Sequence, residues 1–466
     1  MSISFHYFTE SFTFRKSHKH IQSQLMPVIP EFKIARFGIQ APFIFAKDPL
    51  ATIRRGFDGA GNTFRMKLFR EFIISRDPAF FRHILVSNNK NYKKGSSSKM
   101  LNPVLGNGLV TSEGDFWLQQ RRLVQPAFHR ERLQELFVTM GKITAGFLDE
   151  LEISRGKGAV DIDAKMMGLT SDIALKTLFG NISNEDKMQI YHQVNRTQRY
   201  LVTRVRRPYR IPLMIVNGER TRFKTDLAYF NKLIFEFIHQ RHGMEEKPND
   251  LLQLLLDSLD EETGARMNDQ QIRDEAITMF AAGHETSATG LSWLLMELAR
   301  QPEIAAKIRH ESDLFETVPT FEQLMKLPYT RQVIEEGMRL YPPAWTMTRE
   351  ALEDDEVDGK PIPKGVSVFM SIYELHRNPN IWENPLVFDP ENFSVEKVKN
   401  RPKFNYLPFG AGPRLCIGQQ FAMMEMQLIL ASLIKRFDFE IDPSHTIGIY
   451  PQIVLKSTNG IKLFVK

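Results

Sequence analysis

Phe409-Gly410-Ala411-Gly412-Pro413-Arg414-Leu415-Cys416-Ile417-Gly418, followed at once by the helical pattern Gln419-Gln420-Phe421-Ala422-Met423-Met424-Glu425-Met426, carries the single cysteine of the chain through a glycine-rich loop to a helix start. A cysteine so placed meets unpaired backbone N–H groups and the positive end of a helix dipole, which together favour thiolate over thiol. A thiolate there is a ready metal ligand. The glycines at 410, 412 and 418 allow left-handed backbone angles and the close approach of something flat, and Phe409 is placed to cover the sulfur from water. Arg414 adds a charge that is always present. On these residues alone a buried structural cysteine stays open as the alternative, the commonest fate of a free cysteine.

Composition narrows the classes around this loop. With 466 residues, 42% hydrophobic and 25% charged, the chain reads as an ordinary globular protein, not a disordered, collagen-like or coiled-coil one. One cysteine permits no intrachain disulfide, no multi-cysteine zinc site and no cysteine-ligated iron–sulfur cluster, and places the chain in a reducing compartment, the cytoplasm. A net charge of +6 spread over this length gives no reason to expect nucleic-acid binding. The N-terminus lacks the basic start and apolar stretch of a secretory signal, and no run approaches 18 apolar residues, so no transmembrane anchor is expected. Residues 1–30 are expected to be an N-terminal extension and 31–466 a single domain, present as a monomer.

Apolar residues at spacings of three and four predict long helices over Leu133–Leu151, Asp226–His242, Asp269–Gln301 and Phe421–Phe437. A hairpin is expected over Thr63–Ser75, with strands at Val366–Ile372 and Gly460–Lys466. The prolines between Leu340 and Phe409 predict a long, mostly irregular meander. The fold class is therefore mainly α with small β-sheets.

Three further stretches carry chemistry. Ala282-Gly283-His284-Glu285-Thr286-Ser287 sets a glycine and hydroxyls inside a strong helix, where Gly costs up to about 1 kcal/mol relative to Ala. Helical spacing puts Met279, Ala282, Gly283 and Thr286 on one face, so that either another helix packs tightly there or a flat cofactor and O2 lie against the backbone and a Thr hydroxyl beside a carboxylate relays protons. His284 reads as a non-ligand. Glu336-Gly-Met-Arg339 places an acid and a base on one helix face, just before Tyr341-Pro342-Pro343 ends that helix. Trp117 and Arg121, one turn apart, present an indole N–H and a guanidinium suited to carboxylates.

The cysteine segment resembles the heme-binding loop of cytochromes P450, Phe-x-x-Gly-x-Arg-x-Cys-x-Gly, with every specified position present. The other three stretches resemble, in the family's order, its oxygen-binding groove, its Glu-x-x-Arg element and its Trp-x-x-x-Arg propionate site. The resemblance covers residues from about 60 to 466 and implies the P450 fold, with heme b (iron protoporphyrin IX) between the Thr286 helix and the Cys416 loop. It makes Cys416 the axial ligand to the heme iron and Glu285 and Thr286 the proton-delivery pair. Trp117, Arg121, Ala282, Gly283, Arg349, Phe409, Gly412, Arg414 and Gly418 become cofactor-binding residues. Glu336 and Arg339 lock the meander; the family's third member, an arginine, is replaced by Asn392, which brings a neutral hydrogen bond instead of a charge.

The implied reaction is O2-dependent monooxygenation of an apolar organic substrate, fatty-acid-like, terpenoid or otherwise lipophilic. Its electrons would come from a separate ferredoxin or flavodoxin with an NAD(P)H-dependent reductase. A basic set, Lys397, Lys399, Arg401 and Lys403 with Arg122 and Arg130, would attract such a donor. The pocket is expected to be bordered by Ser96–Thr111, Val194–Leu213 and Trp345–Thr348. Arg196, Arg199, Arg204, Arg206, Arg207 and Arg210 form a basic cluster that suits a carboxylate, a membrane surface or plain solvent. The rival readings are a heme-thiolate peroxygenase, isomerase or dehydratase without a redox partner, and a heme gas sensor or carrier.

Overall fold

Asn268 opens the longest helix with a reciprocal cap. Its side chain accepts from the Gln271 N–H at 2.9 Å, and the Gln271 side chain accepts from the Asn268 N–H at 2.8 Å. Two orphan donors are satisfied at once, and the helix runs Asp269–Arg300 until Pro302 prevents its continuation. In this computed structural model, which describes residues 28–34, 40–180, 182–206 and 210–466, that helix is buried on nearly every side, as a helix at the centre of a large core must be. The exception is the Ala281–Gly283 and Thr286 stretch, where Ala282 is exposed. The expected N-terminal extension lies almost wholly outside the described residues.

The helix Gln419–Arg436 is buried from Met423 to Ile434. Its Leu428, Ile429 and Leu433 share a core with Leu291, Leu294 and Leu295 of the long helix, Phe137 and Leu148 of Arg130–Glu152, and Val333 and Ile334 of Pro328–Leu340. Each such side chain contributes roughly 1.5–3 kcal/mol by leaving water. A second core joins Ile277 and Phe280 of the long helix to Leu175 and Leu178 of Ile162–Phe179 and to Phe230 and Ile234 of Glu219–His242. The two cores grip opposite halves of the long helix and leave its middle turns facing a cavity. Among the described residues no helix is long and apolar enough to cross a membrane.

The hairpin forms as expected, Thr63–Lys67 against Glu71–Ser75. It begins a five-stranded sheet in the order Thr63–Lys67, Glu71–Ser75, Ser367–Ser371, Thr346–Ala351, Tyr92–Lys94. Every pairing is antiparallel except that of Glu71–Ser75 with Ser367–Ser371. The expected meander over Leu340–Phe409 is thus only half right: its first half is strand (Thr346–Ala351, Asp355–Val357, Lys360–Ile362, Ser367–Ser371), and the irregular path starts after the short helix Ile372–Leu375. Proline is tolerated there because Pro361 sits in a two-stranded ribbon, where a missing N–H costs little.

Candidate functional site

A single cavity brings the chemistry-bearing stretches together. It is lined by Met279, Ala282, Gly283 and Thr286 from the long helix, by Phe409, Gly410, Arg414, Cys416 and Gly418 from the cysteine loop, and by Trp117, Arg121 and Arg349. The loop is closed by the Cys416 N–H donating to the Phe409 carbonyl at 3.0 Å, and Gly418 caps the following helix. Of the expected cofactor-binding residues, Gly412 does not line the cavity. Its φ is +70°, and a Cβ on it would come 1.9 Å from the Leu85 carbonyl oxygen, so glycine is what seats the loop on the backbone behind it.

Cys416 is exposed to the cavity it lines, yet the protein packed around it withholds bulk water. This desolvation pushes its thiol above the ordinary value, while the Gly418 N–H and the Arg121 charge pull the other way and do not win. Burial thus opposes the preference for thiolate expected from the loop and helix start. Among the described residues no group of three or more His, Cys, Asp or Glu side chains gathers to hold a bare metal ion.

On the helix wall, a Cβ added to Gly283 would touch nothing within 4 Å, so a strip of bare helix opens onto the void. The Thr286 hydroxyl donates to the Ala282 carbonyl at 2.8 Å. Glu285 does not join it in the cavity. It is buried behind the helix and forms an ion pair with Lys456, which is partly exposed. Successive helical residues are turned by about 100°, and here that turn carries Glu285 away from the cavity that Thr286 lines. His284 is buried as well, its Nδ1 against the Phe280 carbonyl at 2.7 Å and its ring stacked on Phe280.

The third wall is cationic. Arg121 donates to the Leu415 carbonyl at 2.8 Å, and Arg414 lies 3.8 Å over the Trp117 ring and pairs with Glu113 at 2.6 Å. Arg349 donates to the Thr348 carbonyl and, among the described residues, has no salt bridge. Strand register puts Lys94 directly across from Arg349. Like charges in that position repel, and the crowding is visible in both groups' neighbours. Burial, with repulsion from Arg414 and Arg349 added, brings Lys94 down to about 7. Burial, opposed by Glu113 and aided by Arg349 and Arg121, brings Arg414 down to about 10. Arg121, Arg349, Arg414 and Lys94 converge where, among the described residues, only Glu113 forms a salt bridge with them, an arrangement that asks for an acidic ligand. A planar, largely apolar metal cofactor with two carboxylates meets each demand: the thiol, the bare strip and the cations.

Glu336 and Arg339 are fully buried and joined by two hydrogen bonds of 2.7 Å. Arg339 also donates to the carbonyls of His376, Pro385 and Val387, and Glu336 accepts from the Asp389 N–H at 2.8 Å. Asn392 donates to Glu336 at 3.3 Å. Of the expected pocket borders, Leu109, Val110 and Met347 line the cavity, whereas Trp345 packs in a separate core. No described residue of 194–213 reaches it. In the basic cluster, Arg196 pairs with Asp226; Arg207 and the side chains of Arg199 and Arg206 fall outside the described residues.

Lys94, Glu275, Thr278 and Phe421 also line the cavity and were not among the expected residues. Glu275 and Thr278 could have been found by extending the Thr286 face three turns backward at helical period. Lys94 carried no such signal, because strand pairing alone brings it in.

Comparison with known proteins agrees with this geometry. Over 434 residues the chain is 30% identical to protein LUTEIN DEFICIENT 5, chloroplastic, of Arabidopsis thaliana, spanning 87% of this chain and 72% of the relative. It is 32% identical over 386 residues to cyclooctatin synthase of Streptomyces melanosporofaciens, spanning 81% and 83%. It is 32% identical over 398 residues to the ultra-long-chain fatty acid omega-hydroxylase of Homo sapiens, spanning 78% and 73%. The family model described as cytochrome P450 matches residues 39–464, so the chain belongs to the cytochrome P450 family, whose members are heme-thiolate monooxygenases using heme b and O2.

Proposed function

We propose that Cys416 ligates the heme iron in this P450, that Trp117, Arg121, Arg349 and Arg414, with Lys94 beside them, receive the propionates, and that Thr286 and Glu285 handle protons. When bound, the heme supplies the redox centre at which dioxygen takes two electrons and two protons, one oxygen atom entering a substrate C–H bond and the other leaving as water. The observation that carries the assignment is that one cavity holds the only thiol, the open strip at Gly283 and four cations short of anions.

Each residue has a separate task. Cys416 would hold the iron as a thiolate, with the Arg121 charge beside it to stabilise the negative sulfur. Ala282 and Gly283 leave room for the cofactor face, Phe409 and Gly410 shield the sulfur side, and Gly418 donates its N–H toward the thiolate. Thr286 exchanges its bond to the Ala282 carbonyl for one into the cavity and presents a proton there. Glu285, coupled to the partly exposed Lys456, takes protons up from the solvent side of the helix. Glu336, Arg339 and Asn392 hold the segment that leads into the cysteine loop. The apolar lining, with Leu109, Val110, Met279 and Met347, selects a lipophilic substrate of fatty-acid-like or terpenoid type.

Electrons come from a separate ferredoxin or flavodoxin with its NAD(P)H-dependent reductase. Lys397, Lys399 and Lys403 are exposed and attract an acidic donor. Arg122, paired with Asp260 and Glu262, and Arg401, stacked on Trp382 and Phe393, are not available for it. The protein works as a monomer in the cytoplasm, a compartment that keeps a single thiol reduced; a sedimenting dimer would overturn the first point.

The deciding experiment is the carbon monoxide difference spectrum of the dithionite-reduced protein, compared with Cys416→His. A strongly red-shifted Soret band that disappears in the variant supports the assignment, and a spectrum indifferent to the substitution removes it. For the donor, raising ionic strength from about 0.01 to about 1 M shortens the screening length from roughly 30 to 3 Å. Reduction by an acidic ferredoxin should then slow severalfold, and a salt-independent rate would discard the docking set.

A further inference from the structure

The short helix Ile211–Val216 keeps Met214, 1% exposed, against the protein, while Leu213, Ile215 and Val216 are 53%, 50% and 85% exposed. At about 100° per residue these three and the exposed Pro212 fall within an arc of about 160°, with Met214 opposite. Among the described residues no other stretch of four sets three large apolar side chains in solvent. The charge around this helix is equally uneven. From Arg196 to Lys224 the sequence holds nine basic residues and one acidic, Glu219, a net +8, whereas the whole chain is only +6. The remainder of the chain is therefore net negative, and the basic character of the protein sits on either side of this helix. Arg196 pairs with Asp226. Arg204, Arg220 and Lys224 are exposed and form no salt bridge among the described residues; the last two belong to Glu219–His242, the helix packed against Ile211–Val216.

We propose that this face docks on an anionic lipid bilayer, with Leu213, Ile215 and Val216 entering the boundary between headgroups and acyl chains and Arg204, Arg220 and Lys224 lying among the phosphates. A helix this short cannot cross a membrane, so the contact is peripheral. Exposed aliphatic side chains flanked by cations find both of their partners at such an interface, apolar below and negative above. Two copies of this face repel each other, because each carries the same excess of positive charge. A nucleic acid has nothing to cover the aliphatic residues, and a protein would need a groove shaped to a convex helix, whereas a fluid bilayer needs none. The docking does not depend on the heme assignment. Where that assignment holds, it brings the enzyme to the phase in which a lipophilic substrate dissolves.

The test floats the whole chain, as purified, with vesicles of phosphatidylcholine alone and of phosphatidylcholine mixed with phosphatidylglycerol. The mixed vesicles should bind it at least about tenfold more tightly, and raising the ionic strength to about 1 M should remove most of that difference. Arg204→Gln, Arg220→Gln and Lys224→Gln should each weaken binding to the mixed vesicles by up to about fivefold. Leu213→Ser combined with Val216→Ser should weaken it by about tenfold or more. All five side chains are exposed, so circular dichroism and the carbon monoxide spectrum without vesicles should match the wild type and serve as the check on folding. Equal binding to the two kinds of vesicle, binding indifferent to salt, no binding, or binding unchanged in the double serine variant would each overturn the proposal. So would a sedimenting dimer that the serine variant abolishes, which would give the face to a second copy. Slower reduction of the glutamine variants by an acidic ferredoxin without vesicles would overturn it too, by giving the face to the electron donor.

Discussion

Thr286 is held by the bond it must release. Its hydroxyl donates back to the carbonyl four residues earlier, the usual resting place of a mid-helix threonine. It is therefore poised beside an exposed Ala282 and an open Gly283 without being committed to any partner in the cavity. Alanine at 286 removes the hydroxyl and leaves the helix, the cysteine loop and the cations untouched. Thr286→Ala should retain heme, while the fraction of reducing equivalents appearing in product falls at least about tenfold and peroxide rises to match, the scale of a lost proton donor. Parallel assays of NAD(P)H consumed, product and peroxide measure this, and unchanged coupling would end the proton role of Thr286. Glu285 is a different kind of residue, paired to Lys456 behind the helix, and its sequence neighbourhood to Thr286 concealed that separation.

The helix Gln419–Arg436 shows how one element joins site and core. It is capped by Gly418, two residues after the cysteine, and little more than one turn in, from Met423, it is buried. Glu425 is on that buried stretch, 1% exposed. Burial, relieved in part by the Ser287 hydroxyl, pushes its carboxyl up to about 8 from the ordinary 4.5. Between those values the unfolded chain has lost the proton and the folded chain has kept it. The folded state binds more protons there, so stability falls as pH rises through that window, by a contribution on the order of 4 kcal/mol at pH 8. Glu425→Gln removes that contribution. Its thermal midpoint should exceed the wild type's at pH 8 and approach it near pH 4.5, and parallel melting curves across the window would refute the buried neutral acid. Glu275, raised by burial to about 7, has the same sign and will leave the variant with some residual slope.

At the scale of the whole molecule, what could be read in the sequence was whatever residue identity encodes locally. The capped, periodic helices and the cysteine loop announced themselves because caps, glycines and spacing act within a few residues. The Lys94–Arg349 contact depends on the register of strands more than 250 residues apart, which no local pattern carries. Thr346–Ala351 hid in the proline-rich stretch because its residues are half-buried on both faces and do not alternate. Gly412 was legible as a glycine of the loop, but the close approach of the Leu85 carbonyl, far away in the chain, was not. The same long-range logic governs the Glu336–Arg339 pair, in which a helix and the irregular path toward the cysteine loop are fastened at the carbonyls of His376, Pro385 and Val387 and at the Asp389 N–H. Glu336→Gln leaves the Arg339 charge buried without its counter-charge and should cost about 3–5 kcal/mol of stability, with accelerated heme loss because the cysteine loop follows this segment. Asn392→Ala removes one long bond of 3.3 Å from a neutral donor to the Glu336 carboxylate and should cost about 1 kcal/mol. Denaturant titrations of the two variants, with Soret absorbance followed in the same samples, separate the cases. Equal losses would mean that Asn392 is a full third member of the lock, and a mild Glu336→Gln would mean that the buried pair does not fasten the meander at all.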